Sequence, residues 1–583
     1  MGYPHQRQYA EPLLSMPSYT AASTLNDTTR QLCGAPYLDA EFANAVIREV
    51  VESERKAVPP SYGFDLDPVV RHCLRARRLL LIRYAIVTGL LVAGLCANPV
   101  VTIMWLVLCA AVVGLRSSAV RELPRPVRLA GLAAIGAVAT CFVGYLLFQF
   151  LFASLLGSIG LSSSSDPFDD YGSSSRDLST VFASGVQTVV LLAPIALAVA
   201  TFLTLFLSRR HAYAILTTEL APGIAPVAPR STNPRVEWRL GVVAAMQRGN
   251  ICVQDVDPFA GAGWVEHSWS FATSLRSADG GGRVTLDTAA LNQRVHQAVV
   301  RLRDESLTEG ERIPNIYVVP YVAADGNRRN DDPLIDPQTR TPRTLASPET
   351  IAAIMLSPQG GLRHYLRAVV PANGKEIRTP DGRLVLPAQD SGIGVTAFIH
   401  LAVEGGMLYT EFVCTVMPQV HPLYQLVDNL RPENIPTRAA LHTLSDFLRD
   451  TLQAPAHLVR LGWDTMRLPG RMARSTRRAD EFRYYDYGAH FSVRELASQR
   501  PTVKFLQILD GEKYIKLLDR AVTEAVLDYL DEQGVDTTEL RNAVTTVSIG
   551  NATFHGGQQS FGGRNTNVQN NAAPRATGGG TRA

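Results

Sequence analysis

Residues 79–115 read LLLIRYAIVTGLLVAGLCANPVVTIMWLVLCAAVVGL. The run is about twice the ~20 residues that cross a hydrocarbon core about 30 Å thick, and Asn98-Pro99 breaks it near its middle. Proline cannot continue a helix but suits the first turn of a new one. The break therefore divides the run into two crossings, 79–97 and 99–115, joined as a tight hairpin. One long kinked helix is the rival reading. Two further apolar, charge-free stretches follow at 129–157 and 178–207, each a little longer than one crossing needs and so expected to tilt.

Arginine placement sets the orientation. Arg71, Arg75, Arg77 and Arg78 precede the first crossing, Arg116, Arg121, Arg125 and Arg128 follow the second, and Arg209 and Arg210 follow the fourth. The loop SSSSDPFDDYGSSSRD between the third and fourth carries Asp166, Asp169, Asp170 and Asp177 against Arg176 alone. Basic short loops stay in the cytoplasm, so four crossings put every Arg cluster inside, the acidic loop outside and both termini in the cytoplasm of a multi-pass cell-membrane protein. A three-crossing chain would strand one Arg cluster outside. Arg83 is the one ionisable side chain within these stretches, one turn from the basic end, where it can snorkel to the interface. Ion and proton transporters use Asp, Glu, His or Lys within the membrane, so the pattern speaks against a secondary transporter. Gly136, Thr140 and Gly144 form a small-residue line that lets two helices approach closely, within the bundle or between subunits.

Composition narrows the classes further. Of 56 Lys+Arg, lysine supplies only Lys56, Lys375, Lys504, Lys513 and Lys516, and the net charge of +3 over 583 residues implies no nucleic-acid partner. The seven cysteines form no CxxC pair and read as small hydrophobes in a reducing compartment. The N-terminus MGYPHQRQYAEPLL has no apolar core of a signal peptide, and Gln6 breaks the myristoylation pattern.

Around the apolar block the chain divides by pattern. Residues 1–37 are Pro, Tyr, Ser and Gln-rich and expected to be disordered. Residues 38–78 hold an amphipathic helix, with Phe42, Val46, Ile47 and Val50 on one face, and the basic juxtamembrane segment. After the four crossings of 79–207 come a Pro/Ala linker at 208–234 and a cytoplasmic α+β domain at 235–460. That domain shows helix periodicity at 287–303 and 437–452. Its strand signals lie at 250–256, 269–275, 316–322 and 365–370, with a clear hairpin, 395–403 and 408–417, turning at Glu404-Gly405-Gly406. Residues 461–543 form a basic and aromatic segment with C-terminal helices, one of them 511–533, and 544–583 a Gly/Asn-rich tail.

Chemistry-bearing motifs are sparse. FAGAGW at 259–264 lacks the third glycine of a dinucleotide loop, PANGKE around Lys375 lacks the first glycine of a phosphate loop, and no GxSxG, HExxH or CxxC occurs. His364, His400 and His421 with Asp390 and Glu411 are the only acid, base or ligand set worth following, and their spacing does not demand convergence. No catalytic, cofactor-binding or metal residue is assigned. Arg467, Arg471, Arg474, Arg477 and Arg478, ahead of Tyr484-Tyr485-Asp486-Tyr487, are candidates for contact with anionic lipid or an acidic partner. In the tail, Ile549, Phe554, Phe561 and Val568 alternate with Gly, Asn, Gln, Ser and Thr in a stretch without Asp, Glu or Pro, the composition that cross-β stacking needs.

DYGAHFSVRELA at 486–497, the helix ending LDYLDEQGVDTTELRNAVTTV and the tail resemble a group of actinobacterial multi-pass membrane proteins with Gly/Asn-rich C-terminal tails, a resemblance that implies no activity. The tail is similar to bacterial amyloid signalling motifs, which implies templating of a protein partner with a matching tail. The expectation is a membrane all-α four-helix bundle plus a cytoplasmic α+β region and a low-complexity tail. Its expected role is a membrane-anchored interaction, signalling or scaffold protein, with the lipid bilayer and a second copy of itself as partners and no cofactor. A membrane-bound enzyme or ligand sensor using the α+β region is the alternative.

Overall fold

The computed structural model describes residues 27–116, 174–222 and 229–542, with breaks at 309, 358–360, 372–376, 380, 387–391 and 500–503, together with Ile224, Val544 and scattered positions between 133 and 151. The tail residues Ile549, Phe554, Phe561 and Val568, and Asp390 and Lys375, lie outside the described residues, as do most of 129–157 and all of the acidic loop up to 173.

The chain begins with α1 (Asp27–Leu38) and α2 (Ala40–Val46), which runs on into a π-helical turn at Ile47–Glu52. Asp39 starts α2 by accepting hydrogen bonds from the Glu41 and Phe42 amides at 2.8 and 3.2 Å, and Phe42, Val46, Ile47 and Val50 are buried as their periodicity predicts. Residues 27–37 correct the expectation of disorder over 1–37. Their helix has no apolar stripe to announce it, and tertiary contacts order it: buried Arg30 donates to the Leu220 carbonyl at 3.1 Å and pairs with Asp428 at 2.5 Å.

The apolar helices are α3 (Leu66–Ala97), α4 (Pro99–Arg116) and α5 (Ser174–Thr218). Pro99 opens α4, and Asn98 closes α3 through its amide to the Gly94 carbonyl at 2.9 Å, so the apolar run is two helices divided at Asn98-Pro99. Gly94 lets the three helices meet there: a Cβ would lie 2.3 Å from Leu197 of α5 and 3.1 Å from Thr102 of α4. Among the described residues two helices, Leu66–Ala97 and Ile195–Thr218, are long and apolar enough to cross a membrane, and Pro99–Gly114 is a shorter apolar helix. α5 continues to Thr218, so the linker starts eleven residues later than the pattern at 208–234 placed it. It ends at α6 (Pro234–Met246), capped by Asn233.

The sheet follows. Its elements are β1 (Ile251–Gln254), β2 (Trp264–Ser274), α7 (Thr288–Arg301), β3 (Tyr317–Asp325), β4 (Asn327–Arg329), α8 (Pro348–Leu356), β5 (Leu362–Val370), a small hairpin of β6 (Ile377–Arg378) and β7 (Leu384–Leu386), β8 (Gly394–Glu404) and β9 (Met407–Met417). Six strands make one sheet in the order β1-β3-β5-β8-β9-β2, with β1 parallel to β3 and every other pair antiparallel. The β8–β9 turn is Gly405-Gly406, both at positive φ (61° and 80°), which the right-handed twist of a two-residue hairpin demands. Leu366, Ala368, Val395, Ile399 and Phe412 face α7 and the later α10 (Phe505–Glu532). Tyr321, Tyr365 and Phe398 face the other way, onto Phe259, Ala489 and the 57–62 segment. Both faces are covered, so the central strands are buried on both sides rather than alternately, polar His364, Arg367, Thr396 and His400 included.

Between β9 and α10 lies α9 (Ile435–Glu481), followed by β10 (Tyr484–Asp486), which pairs with β4. α9 corrects two expectations. Its pattern ended the helix at 452 before Pro455, and the boundary at 460/461 separated a domain from a basic segment. The helix runs through Pro455 and Pro469, because Ala454, Leu461, Leu468 and Met472 stay buried on one face on either side of each proline. Packing outweighs the roughly 3 kcal/mol a proline costs inside a helix. The basic stretch is therefore the second half of this helix, and residues 461–543 are woven into the sheet unit through β10, the Gln254–Ala489 and Val420–Ser498 bridges, and α10.

Candidate functional site

The middle of α9 lies against α3, α4 and α5, and charge as well as packing holds it there. Asp446 and Asp450 stand one turn apart on the face turned to the apolar helices. Arg209 of α5 donates to both, at 2.8 and 2.9 Å, and Arg83 of α3 pairs with Asp450 as well. Phe447 packs between Phe202 and Trp105, with ring centres 5.8 and 6.1 Å away, and Tyr84 stacks on His457 at 5.1 Å. Val87, Leu91, Leu205, Ala454 and Leu461 complete a buried apolar cluster. Arg83, read from sequence as a snorkelling residue, has a specific partner. The sequence signal for it was a pair of carboxylates four residues apart on one helix face.

Further along, α9 grips the N-terminal helices. Arg471 pairs with Glu52 at 3.0 Å and Asp464 at 2.6 Å; Thr476 donates to Glu54 at 2.7 Å, and Arg235 of α6 pairs with the same carboxylate at 2.5 Å. Burial pushes the Glu54 pKa up, but the Arg235 and Thr476 hydrogen bonds outweigh it and leave the carboxyl below its ordinary range. With Arg55, Trp238, Gln338 and Thr339 these side chains line a polar cleft of about 320 Å³. Beneath it the fully buried guanidinium of Arg239 donates to the carbonyls of Val50, Glu54 and Lys56 at 2.9, 2.9 and 3.0 Å, satisfying the end of the π-helical turn; burial lowers its pKa to about 10.

The stretch 486–497 ties this junction to the sheet. Tyr487 receives the Ala57 amide on its carbonyl, Ala489 bridges Gln254 at the end of β1, and His490 meets Glu49 at 3.1 Å. Glu495 then accepts the amides of Gly261 and Gly263 at 2.7 and 3.1 Å. The Gly-rich run FAGAGW, tested from sequence as a dinucleotide loop, is thus an anion-binding turn whose occupant is the chain's own carboxylate. Both glycines sit at positive φ, and a Cβ on Gly263 would lie 2.3 Å from the Val416 carbonyl oxygen. Burial holds the Glu495 pKa above its ordinary value against those two hydrogen bonds.

Of the other candidates, His400 and Glu411 come together, directly opposed on β8 and β9. His364 and His400 sit on neighbouring strands but face opposite sides of the sheet, as the Leu366–Ile399 register requires. His400 Nδ1 bonds the His364 carbonyl oxygen at 2.8 Å, and burial lowers both pKa values, that of His364 to about 4. Glu411 pairs with Arg363 at 3.2 Å, and His421 accepts the Leu423 amide in a turn. His364, on the opposite face, and His421, in its turn, stay apart from the His400–Glu411 pair, and among the described residues no group of three or more His, Cys, Asp or Glu could hold a metal ion. Of the arginines, Arg467 stacks on Trp463 with its guanidinium 3.8 Å from the ring centre, Arg471 is paired as above, and Arg474, Arg477 and Arg478 are exposed. Gly136, Thr140 and Gly144 are exposed, Thr140 donates to the Gly136 carbonyl at 2.8 Å, and a Cβ on either glycine meets open space.

Neither a curated protein nor a solved structure matches the chain. A family model described as the AbeC-like domain matches residues 268–565, from inside β2 through the sheet, α9, the 486–497 stretch and α10. Since that is just over half of its length, the chain belongs to the AbeC-like domain family.

Proposed function

We propose that the protein is a membrane-anchored interaction or scaffold protein of the cell membrane, in which crossings at 79–97, 99–115, 129–157 and 178–207 hold the AbeC-like unit and both termini in the cytoplasm. On this reading it sits among actinobacterial multi-pass membrane proteins with Gly/Asn-rich tails, and its tail joins copies to one another or to a partner with a matching tail. The observation that carries it is the α9 junction. A helix belonging to the sheet unit delivers Asp446 and Asp450 to Arg83 and Arg209 at the basic ends of the apolar helices, so unit and anchor act as one body.

The topology is tested in intact cells with a membrane-impermeant maleimide on full-length protein whose exposed Cys96 and Cys141 are replaced by serine. A cysteine at Ser163 labels at once, whereas one at Val256, exposed on the sheet unit, labels only after permeabilisation. Labelling of Val256→Cys in intact cells would overturn the arrangement. Self-association of the tail is tested by thioflavin binding of a peptide spanning 544–571, and a peptide that stays monomeric removes that part.

A further inference from the structure

α9 has three faces, and the interior of the protein uses only one. Ala439, Thr443, Ala454, Leu461, Leu468 and Met472 are buried along the first. Arg438, Arg449, Arg460, Arg467, Arg474 and Arg478 recur at separations of 11, 11, 7, 7 and 4 residues, all exposed. At about 100° per residue those intervals fall within one narrow arc, so the arginines form a continuous stripe. The third face is open and, from Leu441 to Met466, apolar, with exposed Arg477 on the same line beyond it. Leu441, Leu444, Val459, Trp463 and Met466 are 65, 68, 71, 53 and 82% exposed. Leu441 and Val459 are five turns apart at about 3.6 residues per turn and therefore aligned, with Met466, Trp463 and Leu444 about 20°, 40° and 60° to either side of that line, roughly opposite the buried face.

The level at which this helix lies names its occupant. α9 touches α3 at Arg83 and Tyr84, α4 at Trp105 and α5 at Phe202, Leu205 and Arg209. At those same turns Ile82, Ile86, Leu203 and Leu207 are exposed apolar side chains, the start of the greasy outer surface of both helices. An apolar stripe flanked by arginine, carrying a tryptophan on which Arg467 stacks, is the make-up of a helix lying in the plane of a bilayer surface. We infer that α9 is an in-plane helix of the inner leaflet, with Leu441, Leu444, Val459, Trp463 and Met466 among the upper acyl chains and the arginine stripe among anionic headgroups. The inference rests on the membrane reading proposed above. It extends the lipid contact suggested by Arg467–Arg478 to the whole helix and assigns the penetrating side chains.

The test places an environment-sensitive fluorophore on single cysteines of the full-length protein, in the Cys96→Ser, Cys141→Ser background, reconstituted in vesicles of phosphatidylcholine with a minority of phosphatidylglycerol. Val459→Cys, Trp463→Cys and Met466→Cys report the stripe, Arg474→Cys the arginine face and Leu203→Cys the apolar surface of α5. The stripe probes are expected to be quenched several-fold more by lipid brominated high on its acyl chains than the Arg474→Cys probe, which aqueous iodide quenches instead. Iodide quenching of the stripe probes overturns the inference. So does protection from both quenchers with energy transfer between labelled copies, which would make a second chain the occupant. If the Leu203→Cys probe sees brominated lipid while the stripe does not, only this inference falls. If Leu203→Cys fails too, the membrane reading falls with it.

Discussion

Single side chains in this protein are constrained most where a polar group has been taken out of water. His364 is the clearest titrating case. Burial lowers its pKa to about 4, below the ~6.5 of an exposed histidine, so the unfolded chain binds the proton first and stability falls as pH drops from about 6.5 towards 4. The loss is on the order of 3 kcal/mol once both values are passed. Denaturation midpoints of the reconstituted protein should therefore decline between pH 7 and pH 5, and His364→Leu, which cannot charge, should decline less. Glu495 is constrained by geometry. Glu495→Ala leaves two amides of the glycine turn unpaired and should cost about 2–4 kcal/mol, read from the same midpoints. Neither role was legible from residue type, because a histidine or glutamate in a sequence does not say which backbone it will meet. The FAGAGW glycines were visible, but the carboxylate that fills their turn lies more than 230 residues away in sequence.

At the scale of elements, legibility followed periodicity. The β8–β9 hairpin and α7 stand where alternation and 3.6-residue spacing put them, because their cores are supplied by their own faces. α1 and the second half of α9 were not legible for the opposite reason. Gly34 and Pro36 interrupt α1, which is held by contacts on its tight side, where a Cβ on Gly34 would lie 2.2 Å from Val427. Pro455 and Pro469 look like helix ends, but tertiary packing carries α9 past both. The junction salt bridges give this element its clearest test. Asp450→Asn deprives Arg83 and Arg209 of a shared, largely buried partner and should cost about 2–4 kcal/mol, while Asp446→Asn, whose side chain is far more exposed, should cost less. Thermal unfolding of both variants in nanodiscs measures the difference.

For the molecule as a whole, the small-residue line on the third apolar stretch is an open surface among the described residues. Gly136→Leu with Gly144→Leu should leave the fold's stability within about 0.5 kcal/mol, and on the proposed self-association it should shift the mass of the detergent-solubilised particle measured by light scattering. An unchanged mass would confine self-association to the tail. The way α9 clasps the N-terminal helices also has a consequence for synthesis. Arg30 waits for Asp428, Glu52 for Arg471 and Glu54 for Thr476, partners separated by 398, 419 and 422 residues. At roughly 5–20 residues per second, a ribosome takes about 20–80 seconds to deliver them. Throughout that interval the first helices can rest on α3 but lack these ion pairs and Tyr424, whose ring packs on Phe42 at 5.4 Å. A nascent chain stalled before residue 430 should therefore be cut readily between residues 27 and 52, and a released full-length chain should resist the same protease there.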